Sequence, residues 1–298
     1  MDLIVYCVFW SLEATIPKRM PFSTDTLGLP DDAFGLLRDL IHERTGLYFG
    51  KGRNDVLTDK LSPLVIERGF NSFLDYYYLL KYDPEAENEW RRVVDALSVQ
   101  ETYFWREIDQ ILTVVEVLVP QYFSRPRGQT LRIWSAACAT GEEPLTLAMA
   151  LSESGWLERV PIEIYASDAS AAAIEGARRG LYRERSLHHL QPALREKYFV
   201  PENGRWRIQP QLRSRIRWSV ANLVLESDVS QLATASIILC RNVFIYFSPE
   251  SIIRTLKMFS RLMPTPGHLF VGASESLLKL TTDFDFQEIG GAFVYVKT

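Results

Sequence analysis

The sequence predicts an α/β protein: a small all-α domain, then a doubly wound, mostly parallel sheet that finishes in an antiparallel C-terminal hairpin. Three observations predict it. Across residues 34–97 the apolar side chains fall at helical spacing, with stop signals between the runs. From residue 131 onward short apolar strands alternate with helices, the pattern of right-handed β-α-β crossovers. Near the C-terminus Gly290-Gly291 divides two alternating segments, the mark of a tight hairpin.

Taken in order, Phe34, Leu37 and Ile41 share the face of a first helix, and Gly46 is placed to end it. Asn54 is expected to cap a second, with Leu57, Leu61, Leu64 and Val65 on its apolar side and Gly69 as its stop. Phe73, Tyr77 and Leu80 make a third face. Asp83-Pro84 reads as the N-cap and first helical residue of a fourth. These runs define a helical domain over 26–98. Residues 1–25 read as a poorly ordered N-terminal extension, or as a start placed too far upstream. Their apolar stretch is too short to span a bilayer and lacks the basic start and cleavage site of a signal peptide.

Residues 99–125 form a linker whose amphipathic helix runs through Ile111 and Val115 to Pro120. The sheet domain fills 126–298. Its first strand is Leu131-Arg132-Ile133-Trp134-Ser135, followed by a helix over 142–154 entered through Pro144 and left at Gly155. Ile162-Glu163-Ile164-Tyr165-Ala166 is the second strand, with a helix over 171–179 that Gly180 ends. Ile237-Ile238-Leu239 and Leu269-Phe270-Val271 are further buried strands, and Ser248-Pro249 starts the long helix between them. A small β-subdomain interrupts the alternation at 182–220, with Trp206-Arg207-Ile208 and Ile216-Arg217-Trp218 as its expected antiparallel strands.

A length of 298 residues suffices for one large and one small domain. Hydrophobic content of 47% against 23% charge excludes a disordered chain. A net charge of −4 argues against a nucleic-acid binder, and the tryptophans read as core rather than stacking platforms. Cys7, Cys138 and Cys240 form no CxxC pair, and reduced thiols point to a cytoplasmic protein. Four histidines form no ligand cluster, so no metal is expected, and His188-His189 read as surface residues.

In a doubly wound sheet the ligand lies beyond the carboxyl ends of the strands, where strand order reverses. The first strand here runs into Ser135-Ala136-Ala137-Cys138-Ala139-Thr140-Gly141-Glu142-Glu143-Pro144. Small residues such as Ala137 let a ligand approach the backbone. With one glycine this is not GxGxxG, and two acids occupy the helix N-terminus where a pyrophosphate would sit, which disfavours a dehydrogenase. That arrangement suits S-adenosylmethionine, which carries a sulfonium and an α-amino group and no phosphate. Asp168, ending the second strand, is placed to accept hydrogen bonds from both ribose hydroxyls. An antiparallel hairpin closing a parallel sheet also marks the fold of methyltransferases that use this cofactor.

Beyond these features, the segments Gln100-Glu101-Thr102-Tyr103-Phe104-Trp105-Arg106-Glu107 and Trp134 to Pro144 resemble CheR-type chemotaxis receptor methyltransferases. So do Ala166-Ser167-Asp168, Asn222-Leu223, the run from Cys240 to Phe247, and Gly272-Ala273-Ser274-Glu275-Ser276-Leu277, all in family order. The resemblance implies an enzyme that esterifies glutamate side chains on the cytoplasmic methylation helices of a bacterial chemoreceptor, releasing S-adenosylhomocysteine. It implies that Glu142 holds the cofactor's α-amino group and Asp168 its ribose, with Asn222 and Leu223 beside the adenine. Gln100, Thr102, Arg106, Ala137 and Arg241 complete the implied cofactor set. Arg106 and Tyr246 are the implied catalytic residues, the first orienting the substrate carboxylate and the second near the transferred methyl. A monomer that does not insert into the membrane is expected.

The chain departs from the family pattern where Gln100 replaces the usual Asn, where Ser170 replaces a second acid, and where Pro266-Gly267 replaces Gly-Gly. The family's basic docking face is a mixture here, Lys51, Arg53, Lys60 and Arg68 against Asp55, Asp59 and Glu67, so the receptor assignment rests on resemblance. The segment 199–222 is short for holding a receptor tether, which points to a tether-independent enzyme. Two other readings remain open: a methyltransferase of the same fold with another protein or small molecule as substrate, and a non-catalytic cofactor-binding scaffold.

Overall fold

The computed structural model describes residues 27–124 and 129–297, so the expected extension over 1–25 lies outside the described residues. Helix α1 (Asp31–Thr45) buries Phe34, Leu37 and Ile41 and ends where Gly46 turns left-handed at φ +77°. In α2 (Asn54–Glu67) Leu57, Leu61 and Val65 are buried and Leu64 only half so. Asn54 is its first helical residue rather than its cap, and its side-chain amide donates to Asp31 Oδ1 (2.7 Å). Ser72 caps α3 (Phe73–Tyr82) by accepting from Leu74 N.

The fourth helix starts later than Asp83-Pro84 suggested. Asp83 ends α3 and folds into a turn, its carboxylate accepting from Glu85 N and its carbonyl from Ala86 N. The Asx turn competes with the N-cap role for the same side chain, and α4 (Glu87–Leu97) begins beyond it. The linker helix is α5 (Ile108–Thr113), a π-helical turn (Val114–Leu118) and α6 (Val119–Phe123). Pro120, just past the π turn, has no amide proton for the helical ladder.

The sheet domain follows as β1 (Leu131–Ala136), α7 (Glu142–Glu153), α8 (Trp156–Arg159), β2 (Ile162–Asp168) and α9 (Ala171–Arg179). Next come β3 (Leu181–Tyr182), α10 (Pro192–Tyr198), β4 (Phe199–Glu202) and β5 (Arg205–Ile208), whose strands form a separate antiparallel sheet in the order β3-β5-β4. Then α11 (Pro210–Arg213), β6 (Ile216–Val220), α12 (Glu226–Val229), β7 (Ile237–Leu239), α13 (Pro249–Leu262), β8 (Gly267–Phe270), β9 (Asp285–Ile289) and β10 (Ala292–Lys297) complete the chain. The seven-stranded sheet has the order β6-β2-β1-β7-β8-β10-β9. Among the described strands of this sheet β10 alone is reversed, antiparallel to both β8 and β9, and Gly290 and Gly291, both at positive φ, turn the hairpin.

One strand belongs elsewhere than expected. Ile216-Arg217-Trp218 is not in the β-subdomain: β6 pairs parallel with β2, from Ile164↔Ile216 to Asp168↔Val220. The helical turn α11 separates it from β5 and prevents a hairpin, and Trp218 packs over Gly141, where a Cβ would lie 2.8 Å from its ring. The subdomain strands therefore end at Ile208.

Apolar residues fill both faces of the sheet. One face packs against α5–α7 and the subdomain, the other against α13, where Trp134 is fully buried against Phe259 and donates to Ser167 Oγ (3.0 Å). Strand order reverses between β1 and β7, which opens a crevice at their carboxyl ends.

Candidate functional site

Two cavities meet in that crevice, sharing Val99, Ala137, Ala139 and Asn242. The larger, about 480 Å³, is lined by Gln100, Asp168, Asn222, Leu223 and Tyr246 together with Tyr48, Arg53 and Lys60 of the helical domain. The smaller is lined by Thr102, Arg106, Glu143 and Arg241.

The floor is set by the loop after β1. Ala137 and Ala139 both take left-handed backbone, at φ +56° and +48°. Cys138 N donates to Ser167 O (2.9 Å) and Ala139 N to Asp168 Oδ2 (2.9 Å), tying the ends of β1 and β2 together. Asp168 Oδ1 accepts from Ser170 N (2.9 Å). Burial pushes the Asp168 carboxyl above its usual range, opposed by these two N–H donors.

Of the two acids at the start of α7, the structure turns Glu143 and not Glu142 to the cleft. Glu142 is 2% exposed and lines neither cavity; its Oε2 accepts from Thr140 Oγ1 (2.6 Å). Burial raises its pKa to about 7. Adjacent helical residues point about 100° apart, so one acid facing the cleft sends the other beneath the subdomain. Glu143, which the motif reading passed over, is the acid of this pair that lines the smaller cavity.

Glu143 belongs to a chain of charges. Its Oε1 accepts from Ser135 Oγ (2.6 Å), and its Oε2 lies 3.2 Å from Arg241 Nη1. Arg241, its side chain 2% exposed, also reaches Glu107 Oε2 (3.3 Å) and donates to Arg106 O (2.7 Å). Arg106 donates through Nη1 to Glu101 O (2.9 Å). Burial raises the Glu143 pKa, with Arg241 and Ser135 holding it back. Arg106 also lies over the Tyr103 ring, and Tyr103 in turn touches both His188 and His189. The histidine pair is exposed and lines neither cavity, touching the cleft wall through Tyr103.

At the other end, two departures from the family pattern meet. Gln100 Nε2 donates to Ser170 Oγ (3.1 Å), and Ser170 Oγ donates to Asp95 Oδ1 (2.6 Å) on α4. An acid from the helical domain thus stands beside the position where the second acid is missing. Asn222 Nδ2 donates to Arg44 O (2.8 Å), and Tyr48 N to Tyr246 O (2.8 Å) beside a Leu47–Phe247 bridge. Sequence reading had no signal for these contacts between distant segments.

The donor set fits S-adenosylmethionine. Two partly enclosed carboxylates, Glu143 and Asp168, suit an ammonium and a diol, and the acids at the start of α7 leave no place for a phosphate. Fold and cleft together define a methyltransferase of the S-adenosylmethionine-binding class.

The chain belongs to the CheR methyltransferase family. The family's all-alpha domain matches residues 32–98, and its SAM binding domain matches 100–292. Chemotaxis protein methyltransferase 2 of Vibrio cholerae is 31% identical over 90% of this chain and 94% of its own length. The chemotaxis protein methyltransferase of Salmonella typhimurium is 30% identical, covering 89% and 90%. That of Klebsiella aerogenes is 30% identical, covering 91% and 90%. Among the described residues no helix is long and apolar enough to cross a membrane.

Proposed function

We propose that this protein methylates glutamate side-chain carboxylates on the cytoplasmic helices of a chemoreceptor, giving glutamate methyl esters. The observation that carries the reading is the cleft itself: carboxylates at its floor and a guanidinium, Arg106, in the wall of the smaller cavity. When bound, S-adenosylmethionine supplies an electrophilic methyl on its sulfonium.

Glu143 holds the α-amino group, Asp168 the ribose, and Asn222 and Leu223 flank the adenine. Gln100, Thr102 and Ala137 line the same path. Arg241, clamped between two carboxylates in the wall of the smaller cavity, orients Glu143 beside the ligand. A glutamate side chain, with an ordinary pKa of about 4.3, is already an anion at neutral pH, so no strong general base is required. Positioning is the enzyme's task, and good orientation is worth on the order of 7–11 kcal/mol. Arg106 attracts and orients the substrate carboxylate, while Glu107 near its Nε and the Glu101 carbonyl keep it from pairing so tightly as to dull the nucleophile. Tyr246 faces the larger cavity and hydrogen-bonds the carboxylate or shapes the methyl's path.

The test is transfer of radiolabelled methyl to chemoreceptor-containing membranes. Label released by mild base identifies a carboxyl methyl ester. Cofactor binding without transfer points to another substrate or to a scaffold. R106A with normal turnover removes that residue's role.

A further inference from the structure

We propose that Glu275 is a positioning residue for methyl transfer, a carboxylate clasp that holds the loop over 240–247 in the arrangement presenting Asn242 and Tyr246 to the cleft. The inference rests on the methyl-transfer reading above. Strands β7 and β8 run parallel side by side, so the loops that follow them leave the sheet at the same end. Glu275 lies in the second loop and reaches across to the first. Its Oε2 accepts from Asn242 N (2.8 Å) and Gly272 N (2.6 Å), and its Oε1 from Ile245 N (3.2 Å). Its carboxylate forms no ion pair with a cation among the described residues; three backbone amides answer its charge, an anion nest built from two loops.

What the clasp holds would not hold itself. Asn242 sits in left-handed backbone at φ +58°, a conformation that persists in a non-glycine residue when its surroundings fix it. Its side chain lies against Gly272, where a Cβ would fall 2.3 Å from Asn242 Nδ2. Asn242 lines both cavities, Ile245 and Tyr246 line the larger, and Arg241 starts the ion-pair chain at the smaller. Glu275 itself lines neither cavity. Its part is to fix where those side chains stand. Asp168 is held by Ala139 and Ser170, and Glu143 by Ser135 and by Arg241, whose guanidinium is itself anchored to Glu107 and the Arg106 carbonyl.

The variant that tests this is E275Q, which keeps the shape but sets an NH2 against backbone N–H donors. On receptor membranes kcat is expected to fall on the order of a hundredfold, the scale of a misplacement near 1 Å. Calorimetric affinity for S-adenosylmethionine and the melting temperature are expected to stay near wild type. In a Y246F background E275Q should add little further loss, because the two act through one loop. Amide exchange at Asn242 and Ile245 should quicken at least tenfold. Wild-type kcat, a loss of cofactor affinity in proportion to kcat, or full multiplication with Y246F would each overturn the proposal. Should E275Q not fold, E275D, which keeps the charge and shortens the reach, carries the same measurements. If the wild type itself transfers no methyl, the reaction reading fails, and unchanged amide exchange in E275Q would sink the clasp independently.

Discussion

The two ends of the cleft are built on different principles. At the smaller cavity Arg106, Glu107, Arg241 and Glu143 form one connected run of charges, and displacing any member costs a neighbour one of its partners. At the larger cavity Asp168 takes two backbone N–H bonds and makes no ion pair among the described residues, and the two cations of that wall, Arg53 and Lys60, come from the helical domain. The first arrangement is cooperative and costly to disturb. The second is a set of separate contacts.

The largest effect that would sharpen this contrast is expected from E143Q. It removes a charge-assisted contact and leaves the buried Arg241 under-neutralised, so calorimetry should show a loss of cofactor affinity of about a hundredfold. Combined with R241K the loss should fall well short of the product of the two. D168N, keeping one acceptor oxygen, is expected to cost about tenfold and to combine additively with E143Q; strong coupling between them would break the comparison.

E142Q should leave cofactor affinity unchanged and act on stability instead. The folded pKa of Glu142, about 7, lies above its unfolded value, so the native state binds the extra proton between them. Its contribution is therefore fully present below the unfolded pKa and lost as pH rises through about 7. The expected outcome is a higher melting temperature for E142Q at pH 8, worth at most about 3 kcal/mol, vanishing near pH 4. The smallest effect is expected from S170A, which cuts the Gln100–Ser170–Asp95 relay: about threefold in cofactor affinity, the worth of one neutral hydrogen bond.

Much of the fold was legible because period 3.6 and period 2 are local properties, and the helices around Leu37, Leu61 and Tyr77 and the strands at Ile133 and Ile164 carry them plainly. Strand partners are not local. Trp206-Arg207-Ile208 and Ile216-Arg217-Trp218 look alike in sequence, and nothing within either says that one joins β3 and the other β2. Which acid of α7 faces the cleft was not legible for a related reason. Every residue from Pro144 to Leu151 is buried, so α7 shows no polar face from which the phase of its first turn can be taken. Asp95 was invisible for another: its partner Ser170 lies 75 residues away.

The short pairing of Leu47 with Phe247, and of Tyr48 N with Tyr246 O, gives the two modules a common wall. The family's domains divide near residue 99, but the ligand's surroundings ignore that border. Inheritance of the halves is therefore constrained. On the proposed function, a substitution that retunes the helical module toward a different target would also reshape the larger cavity, so partner choice and cofactor grip would drift together.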